Sequence, residues 1–502
     1  MEINVGSAAS PCAATGIAGL DAILYGGFPR KHFYLVEGDP GAGKTTLGLE
    51  FLLEGLRRGE KVLYITLSET RDELLDVARS HGWDLSSVPI YELIPDQEQL
   101  SPDAQYTMFH PSDVELAETA RSVFNEVRKI NPDRVVLDSL AELRTLAREP
   151  LLYRRQIMGF KQFFKERKCT ALLLDDRSAR GDDMQLDSLV HGVLKLEKLQ
   201  REYGVTRRRL EVVKMRGLHV REGLHDYVIR AGGILVFPRL VPAEHSTQFE
   251  MLPTSSGNAE LDRLLGGGLD RGTSTLLMGP AGSGKSTVAL KMAMAACDRG
   301  EMAAVYTFEE GPQAMLHRAK GLGMDLHGHI DTGLLKIEQF DPAELSPGEF
   351  VQRVRDIVEK HNARLVVLDS LNGFLQAMPG ENYLALQLHE LLTYLNQQAV
   401  VSIVVLAQAG MVGVMQSPVD VSYLADNILI FRFFEAHGAV RYALSVVKKR
   451  TGAHELSIRE LRMSAAGVRL GESICDFQGI LTGTPVYVGT EIFEKPDSKY
   501  GQ

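Results

Sequence analysis

Cysteine is scarce in this chain. The four present in 502 residues, Cys12, Cys169, Cys297 and Cys475, stand far apart and form no CxxC pair or Cys/His cluster. That argues against a disulfide framework and against a zinc site of the usual spacing, and it fits a reducing cytoplasm. Long hydrophobic runs are also missing. The most apolar stretch, "AVVSIVVLA" at 399–407, falls well short of the about 20 residues that cross a bilayer as a helix. The start "MEINVGSAASPC" lacks a basic region followed by an apolar one, so neither an export signal nor a membrane anchor is expected. Positive charge is in deficit as well. A formal net charge of −10 gives no bulk attraction to nucleic acid, and no helix-turn-helix, zinc module or aromatic/basic strand-binding stretch is visible. These absences weigh against a DNA-acting motor or recombinase.

What the chain does have is a copy of itself. "TGIAGLDAILYGGFPRKHFYLVEGDPGAGKTT" from Thr15 is answered by "SSGNAELDRLLGGGLDRGTSTLLMGPAGSGKST" from Ser255, at an offset of 241 between Lys44 and Lys285. "RVVLDSL" ending at Leu140 is answered by "LVVLDSL" ending at Leu371, and "VVKMRG" at 212–217 by "VVKKRTG" at 446–452. So long a period means duplicated domains and not a short-repeat solenoid. Within each copy, near-continuous apolar strands ("HFYLVEG", "KVLYITL", "RVVLDSL", "CTALLLDD") alternate with helical patterns, which predicts an α/β fold with a mostly parallel sheet covered on both faces. "RRLEVVKMRG" and "DYVIRAGGILVFP" predict a terminal antiparallel ribbon turned at Gly232 and Gly233. The expected division is 1–245, 246–475 and a tail at 476–502, with the link around the proline-bearing "VPAEHSTQFEML".

Both copies carry GxxxxGK[ST] between a predicted strand and a predicted helix, the setting in which that motif binds phosphate. In the first, Gly38, Asp39, Pro40, Gly41, Ala42 and Gly43 lead to Lys44, Thr45 and Thr46; in the second, Gly279, Pro280, Ala281, Gly282, Ser283 and Gly284 lead to Lys285, Ser286 and Thr287. The glycines let backbone N–H groups converge on phosphate oxygens, the lysines reach the β and γ phosphates, and the helix start adds a favourable dipole. Thr45 and Ser286 are candidate Mg²⁺ ligands, joined by Asp138 and Asp369 at the carboxyl ends of buried strands. Glu309 and Glu310 follow the strand "MAAVYTF" and are placed to orient or deprotonate a nucleophile. The same acids would also suit the first turn of the helix that follows. In the first copy Ser68 stands at the place of Glu309, and Glu69 at that of Glu310. Glu69 is thus the one acid left nearby as a catalytic candidate.

"TGIAGLD", the two phosphate loops, "FEE", "LDSL", "KMRG" and "DVSYLADN", in that order and duplicated, resemble the KaiC-like proteins, double-domain members of the RecA/DnaB-type ATPases. The resemblance covers both halves and implies tandem RecA-like domains that bind ATP and Mg²⁺. It also implies a homo-hexameric double ring with nucleotide between subunits and protein regulators on its faces or tail. In such a family the first ring is chiefly an ATPase and the second also a Ser/Thr autokinase and autophosphatase. Carried over by position, the basic residues that reach a neighbour's nucleotide fall on Lys214 and Arg216 and on Lys448 and Arg450; the plain alternative is an exposed basic strand end. The phosphoacceptor pair falls on Ser422 and Tyr423, of which only Ser422 keeps an aliphatic hydroxyl, and "DVSYLAD" can equally be a lead-in to the next strand. Gln408 takes the γ-phosphate-sensing place, where the first copy reads Asp175 and Asp176. A nucleotide-gated scaffold without self-phosphorylation remains the other reading of the second half.

Overall fold

The computed structural model describes residues 12–93, 111–147, 149–177, 186–200, 204–341, 343–376, 384–408, 422–436 and 438–489. The chain divides between Arg239 and Leu240 into two compact units. No helix among the described residues is long and apolar enough to cross a membrane.

Each unit is built on a nine-stranded sheet. In the first the spatial order is Gly233–Phe237, Leu224–Arg230, Arg207–Met215, Gly192–Leu199, Phe33–Gly38, Thr170–Asp176, Arg134–Asp138, Val62–Thr66 and Ile90–Glu92. In the second it runs from the other side: Leu335–Gln339, Ala303–Thr307, Leu365–Asp369, Val401–Ala407, Ser274–Gly279, Asn427–Ala436, Ala439–Lys449, Arg459–Ser464 and Gly467–Ser473. Six strands are parallel in each sheet, and the remainder form an antiparallel extension. The parallel strands are buried on both faces, as their unbroken apolar runs require. Leu35, Leu63, Val135 and Leu173 face one apolar layer and Tyr34, Tyr64, Val136 and Leu172 the other, the alternation that a pleated strand imposes. This is the duplicated α/β architecture expected from the pattern, and it fits the tandem RecA-like domains that the resemblance implies.

The antiparallel ribbon of the first unit turns at Gly232 and Gly233, whose φ values of 95° and 120° are open only to glycine at little cost. Beside that turn, Glu50 on the helix Lys44–Arg57 accepts a hydrogen bond from the Ile234 N–H at 3.2 Å. Burial raises its carboxyl to about 8, against that hydrogen bond and Arg57. The folded form therefore holds a proton that the unfolded chain releases near its ordinary value, so stability is greatest below about 4.5 and falls as pH rises through about 8. Glu50→Gln keeps the acceptor without the charge. It is expected to raise stability by about 1–2 kcal/mol at pH 8.5 and by nothing measurable at pH 5, read from urea unfolding at both pH values. An equal gain at both would show that the charge is not the cause.

The tail after the second unit's last long strand is not loose throughout. Ile480 is fully buried with Phe434 and Ala443, packed by Ile458, Ile474 and Phe477.

Candidate functional site

Both phosphate loops lie at the carboxyl end of a central strand, where an open α/β sheet leaves a crevice. Phe33–Gly38 leads through Gly38–Thr45 into the helix Lys44–Arg57, and Ser274–Gly279 leads through Gly279–Ser286 into Lys285–Asp298. The last loop residues, Gly43 and Gly284, have φ of 97° and 93°. A Cβ there would come within 2.6 Å of Ile229 Cδ1 or 2.7 Å of Met463 Sδ. Glycine is therefore needed both for the turn and for the packing of loop on ribbon.

The two lysines are held differently. Lys285 Nζ donates to the carbonyls of Gly279 at 2.9 Å and Pro280 at 2.6 Å. Burial pulls it down to about 8, against Asp369 and Glu309, which favour its charge. Lys44 Nζ makes the same backbone contacts, to Gly38 O at 3.0 Å and Asp39 O at 3.2 Å, but also forms an ion pair with Asp176. The strand register corrects an expectation here. Gly38 pairs Asp176 and Gly279 pairs Ala407, so Asp176 matches Ala407, and the residue matching Gln408 is Arg177, one place beyond the Asp175–Asp176 pair. Strand alternation turns Asp175 to the other side, where it is buried and takes Arg144 Nη2 at 2.6 Å. Gln408 itself accepts from Arg432 Nη1 at 2.7 Å, and Arg432 Nε donates to the carbonyl of Leu481 in the tail at 3.1 Å.

Thr45 Oγ1 donates to Asp138 Oδ2 at 2.9 Å, and the same oxygen takes the Tyr64 hydroxyl at 2.6 Å. Ser286 likewise donates to Asp369. Burial raises both aspartates, offset mainly by Tyr64 in the first unit and by Ser286 in the second. A hydroxyl and a carboxylate facing each other beside a phosphate loop form an oxygen-only donor set, which fits Mg²⁺ better than a softer metal.

The acids after the second strand separate into two roles. Glu309 is exposed, accepts from Ser370 Oγ at 2.9 Å, and lies within electrostatic reach of Lys285 and Asp369. Glu310 is engaged by both of its oxygens: Arg318 Nε donates to Oε1 at 3.0 Å and Nη2 to Oε2 at 2.7 Å. The same guanidinium reaches Thr287 Oγ1 at 2.9 Å, tying the acid to the phosphate-loop helix. In the first unit Ser68 is exposed, and Val77 stands where the second unit has Arg318. Glu69 keeps the backbone turn, its N–H bonded to Thr66 Oγ1 at 3.0 Å as Glu310 N–H is to Thr307 Oγ1 at 3.2 Å. Its Oε2, however, is buried without a hydrogen-bond partner. Burial and the nearby Asp138 raise this carboxyl to about 7. Arg318 lies in no motif that the sequence offered, and the parts played by Ser370, Tyr64 and Asp176 within their strand-end motifs were not signalled, because each acts through a contact distant in sequence.

The basic residues at the ends of the antiparallel strands brace a turn in each unit. Lys214 Nζ donates to Val190 O at 3.0 Å and Arg216 Nη2 to Ser188 O at 3.2 Å. Lys448 Nζ donates to Ser422 O at 3.0 Å and Ala425 O at 2.7 Å, and Arg450 Nη2 to Tyr423 O at 3.1 Å. Ser422 is thus half-buried on a turn clasped by Lys448, whereas the Tyr423 ring is exposed. The preceding residues 417–421 of that motif lie outside the described residues. All four basic residues sit at the end of the sheet away from their own phosphate loop. The strand between, six residues in Phe33–Gly38, spans roughly 20 Å at ~3.3 Å per residue.

Comparison with known proteins agrees with this duplicated arrangement. Two proteins of Synechocystis sp., circadian clock protein KaiC3 and circadian clock protein KaiC2, are similar over most of their length. The first is 26% identical over 96% of this chain and 96% of its own; the second is 29% identical over 94% of this chain and 83% of its own. The circadian clock oscillator protein KaiC of Picosynechococcus sp. is 25% identical over 95% of this chain and 93% of its own. The family profile described as "ATPase: KaiC" matches twice, at residues 13–241 and 254–473. The chain therefore belongs to the KaiC ATPase family, with one copy of the family's domain in each unit.

Proposed function

We propose that this protein is a hexameric, double-ring signalling ATPase in which the second unit is the principal hydrolytic site and the first binds Mg-ATP but turns it over slowly. The observation that carries the reading is Glu309. Its carboxylate is exposed, held by Ser370 and set among Lys285 and Asp369, whereas the first unit has Ser68 at that place. Glu309 takes the proton of the attacking water. Glu310, neutralised by Arg318, fixes the start of the neighbouring helix against Thr287 and keeps the loop in register. Lys44 and Lys285, with the loop backbones from Gly38 to Thr46 and from Gly279 to Thr287, bind the phosphates. Thr45 with Asp138, and Ser286 with Asp369, would hold Mg²⁺, which when bound neutralises phosphate charge.

Reach supports the ring. Lys214, Arg216, Lys448 and Arg450 lie at the end of the sheet away from their own loops, so a nucleotide that they touch is one held by a second copy. Arginine supplied from a neighbour is an established way to stabilise phosphoryl-transfer charge. Gln408 senses the γ-phosphate beside the second loop. Ser422 is the acceptor in self-phosphorylation, presented on the turn that Lys448 and Arg450 clasp, with Tyr423 as the lesser candidate.

The test is phosphate release from Mg-ATP combined with intact-mass measurement of the parent and Ser422→Ala. Steady release, and a single phosphate adduct that Ser422→Ala lacks, are expected. An adduct persisting in Ser422→Ala moves the acceptor elsewhere, an adduct in neither protein leaves a nucleotide-gated scaffold, and absence of release overturns the ATPase reading.

A further inference from the structure

The strand ends opposite the phosphate loops differ in chemistry between the two units. In the first, Lys31 and His32 precede the strand Phe33–Gly38, His191 precedes Gly192–Leu199, Lys161 and Lys165 stand on the helix Pro150–Glu166, and Arg216 follows Arg207–Met215. These six side chains, with Phe33 and Phe164, line a cavity of about 230 Å³ that no carboxylate shares among the described residues. The His32 and His191 rings stack with centroids 3.7 Å apart, forming one wall. Burial, then Arg216 and Lys165, pull the Lys161 ammonium below its usual range. Burial, then His32, keeps His191 neutral down to about 4. The site therefore gathers three ammonium groups and a guanidinium around two neutral imidazoles, a surplus of positive charge that a bound anion would relieve.

The second unit shows what a closed version of the same place looks like. The registers Tyr34 with Gly192 and Thr275 with Asn427, and the matching bonds Arg216 N–H to His191 O and Arg450 N–H to Asp426 O, both at 3.1 Å, make Asp426 the counterpart of His191. Asp426 accepts from Arg450 Nη1 at 3.2 Å, Ser274 Oγ at 3.0 Å and Asn396 Nδ2 at 3.1 Å. Asn396 and Leu392 stand where the first unit has Lys165 and Lys161, and Thr273 where it has His32. A carboxylate built into the chain thus fills in the second unit the place that stays cationic in the first.

We propose that this cavity is an anion site of the first unit for a phosphate-type ligand, distinct from either phosphate loop. Its partners are the Lys31, Lys161 and Lys165 ammoniums, the Arg216 guanidinium and the imidazole N–H groups. Two sources share that chemistry. One is the phosphate chain of a nucleotide held by a neighbouring copy, which rests on the ring reading above; the other is a free phosphate or polyphosphate, which does not.

The probe is inorganic tripolyphosphate, titrated calorimetrically into the full chain carrying Lys44→Ala and Lys285→Ala so that neither loop competes. One site per chain is expected. It should weaken at least tenfold with His191→Asp, which gives the first unit the second unit's residue, and also with the double change Lys161→Gln/Lys165→Gln at a half-buried and an exposed position. No binding, or binding that both variants leave unchanged, overturns the proposal. With the loops intact, faster ATP release from assembled His191→Asp than from the parent identifies the neighbour's nucleotide. Unchanged ATP release with tripolyphosphate binding lost identifies a free anion. Light scattering at a single-chain mass would remove the ring while leaving the free-anion outcome testable.

Discussion

Glu309→Gln is expected to slow ATP turnover by about 100- to 1,000-fold while leaving ATP affinity within a few-fold, the range for loss of a positioned general base. Glutamine keeps an amide oxygen to accept from Ser370 Oγ, now 2.9 Å from the carboxylate, and the side chain is exposed, so folding is not at stake. What is lost is a group able to take a proton beside Lys285 and Asp369. The matched control is Glu69→Gln. Its carboxyl, lifted to about 7 by burial, is partly protonated at neutral pH and, with Val77 at the place of Arg318, lacks the guanidinium that orients Glu310, so its removal should alter total turnover by less than twofold. Steady-state phosphate release from the two variants and the parent decides the matter. Near-parent turnover in Glu309→Gln together with a large loss in Glu69→Gln would reverse the assignment of the two units.

How much of this was readable beforehand depended on the distance over which each signal acts. The loops from Gly38 and Gly279 were legible because turn, phosphate cradle and helix start are written in consecutive residues, and the strand-to-helix alternation was legible because burial on both faces leaves unbroken apolar runs. The division of labour between Glu309 and Glu310 was not. It rests on Arg318, two helical turns further on, and on its absence at Val77. Neither position, each half-buried on its helix, differs from an ordinary boundary residue by local pattern. The one-place error at Asp175 and Asp176 has a similar origin, since an apolar strand that ends in two identical residues carries no mark of its register, and only pairing with Gly38 fixes which side chain turns toward Lys44. The cationic cavity was invisible for the same reason in stronger form, its members being drawn from four separate stretches of chain between Lys31 and Arg216.

Asp176→Ala is expected to tighten ATP binding at the first unit by about 10- to 100-fold. The Lys44–Asp176 pair is partly shielded, with side-chain exposures of 9% and 34%. In such a setting a unit charge about 5 Å from a phosphate interacts by roughly 3 kcal/mol at an effective dielectric near 20. An entering γ-phosphate must therefore both displace the carboxylate from Lys44 and tolerate it nearby. The second unit has Ala407 at that position and leaves Lys285 bonded to backbone carbonyls alone among its strong partners. Asp176 is thus expected to set the first site's affinity below the second's with no change in the loop itself. The measurement is titration of a fluorescent ATP analogue into a chain carrying Lys285→Ala, so that only the first loop binds, with and without Asp176→Ala. The converse change, Ala407→Asp in a Lys44→Ala chain, should weaken the second site by a similar factor. Weaker binding in Asp176→Ala would instead make Asp176 a ligand of the nucleotide's metal ion, and unchanged binding would show that Lys44 exchanges its carboxylate for phosphate at no net cost.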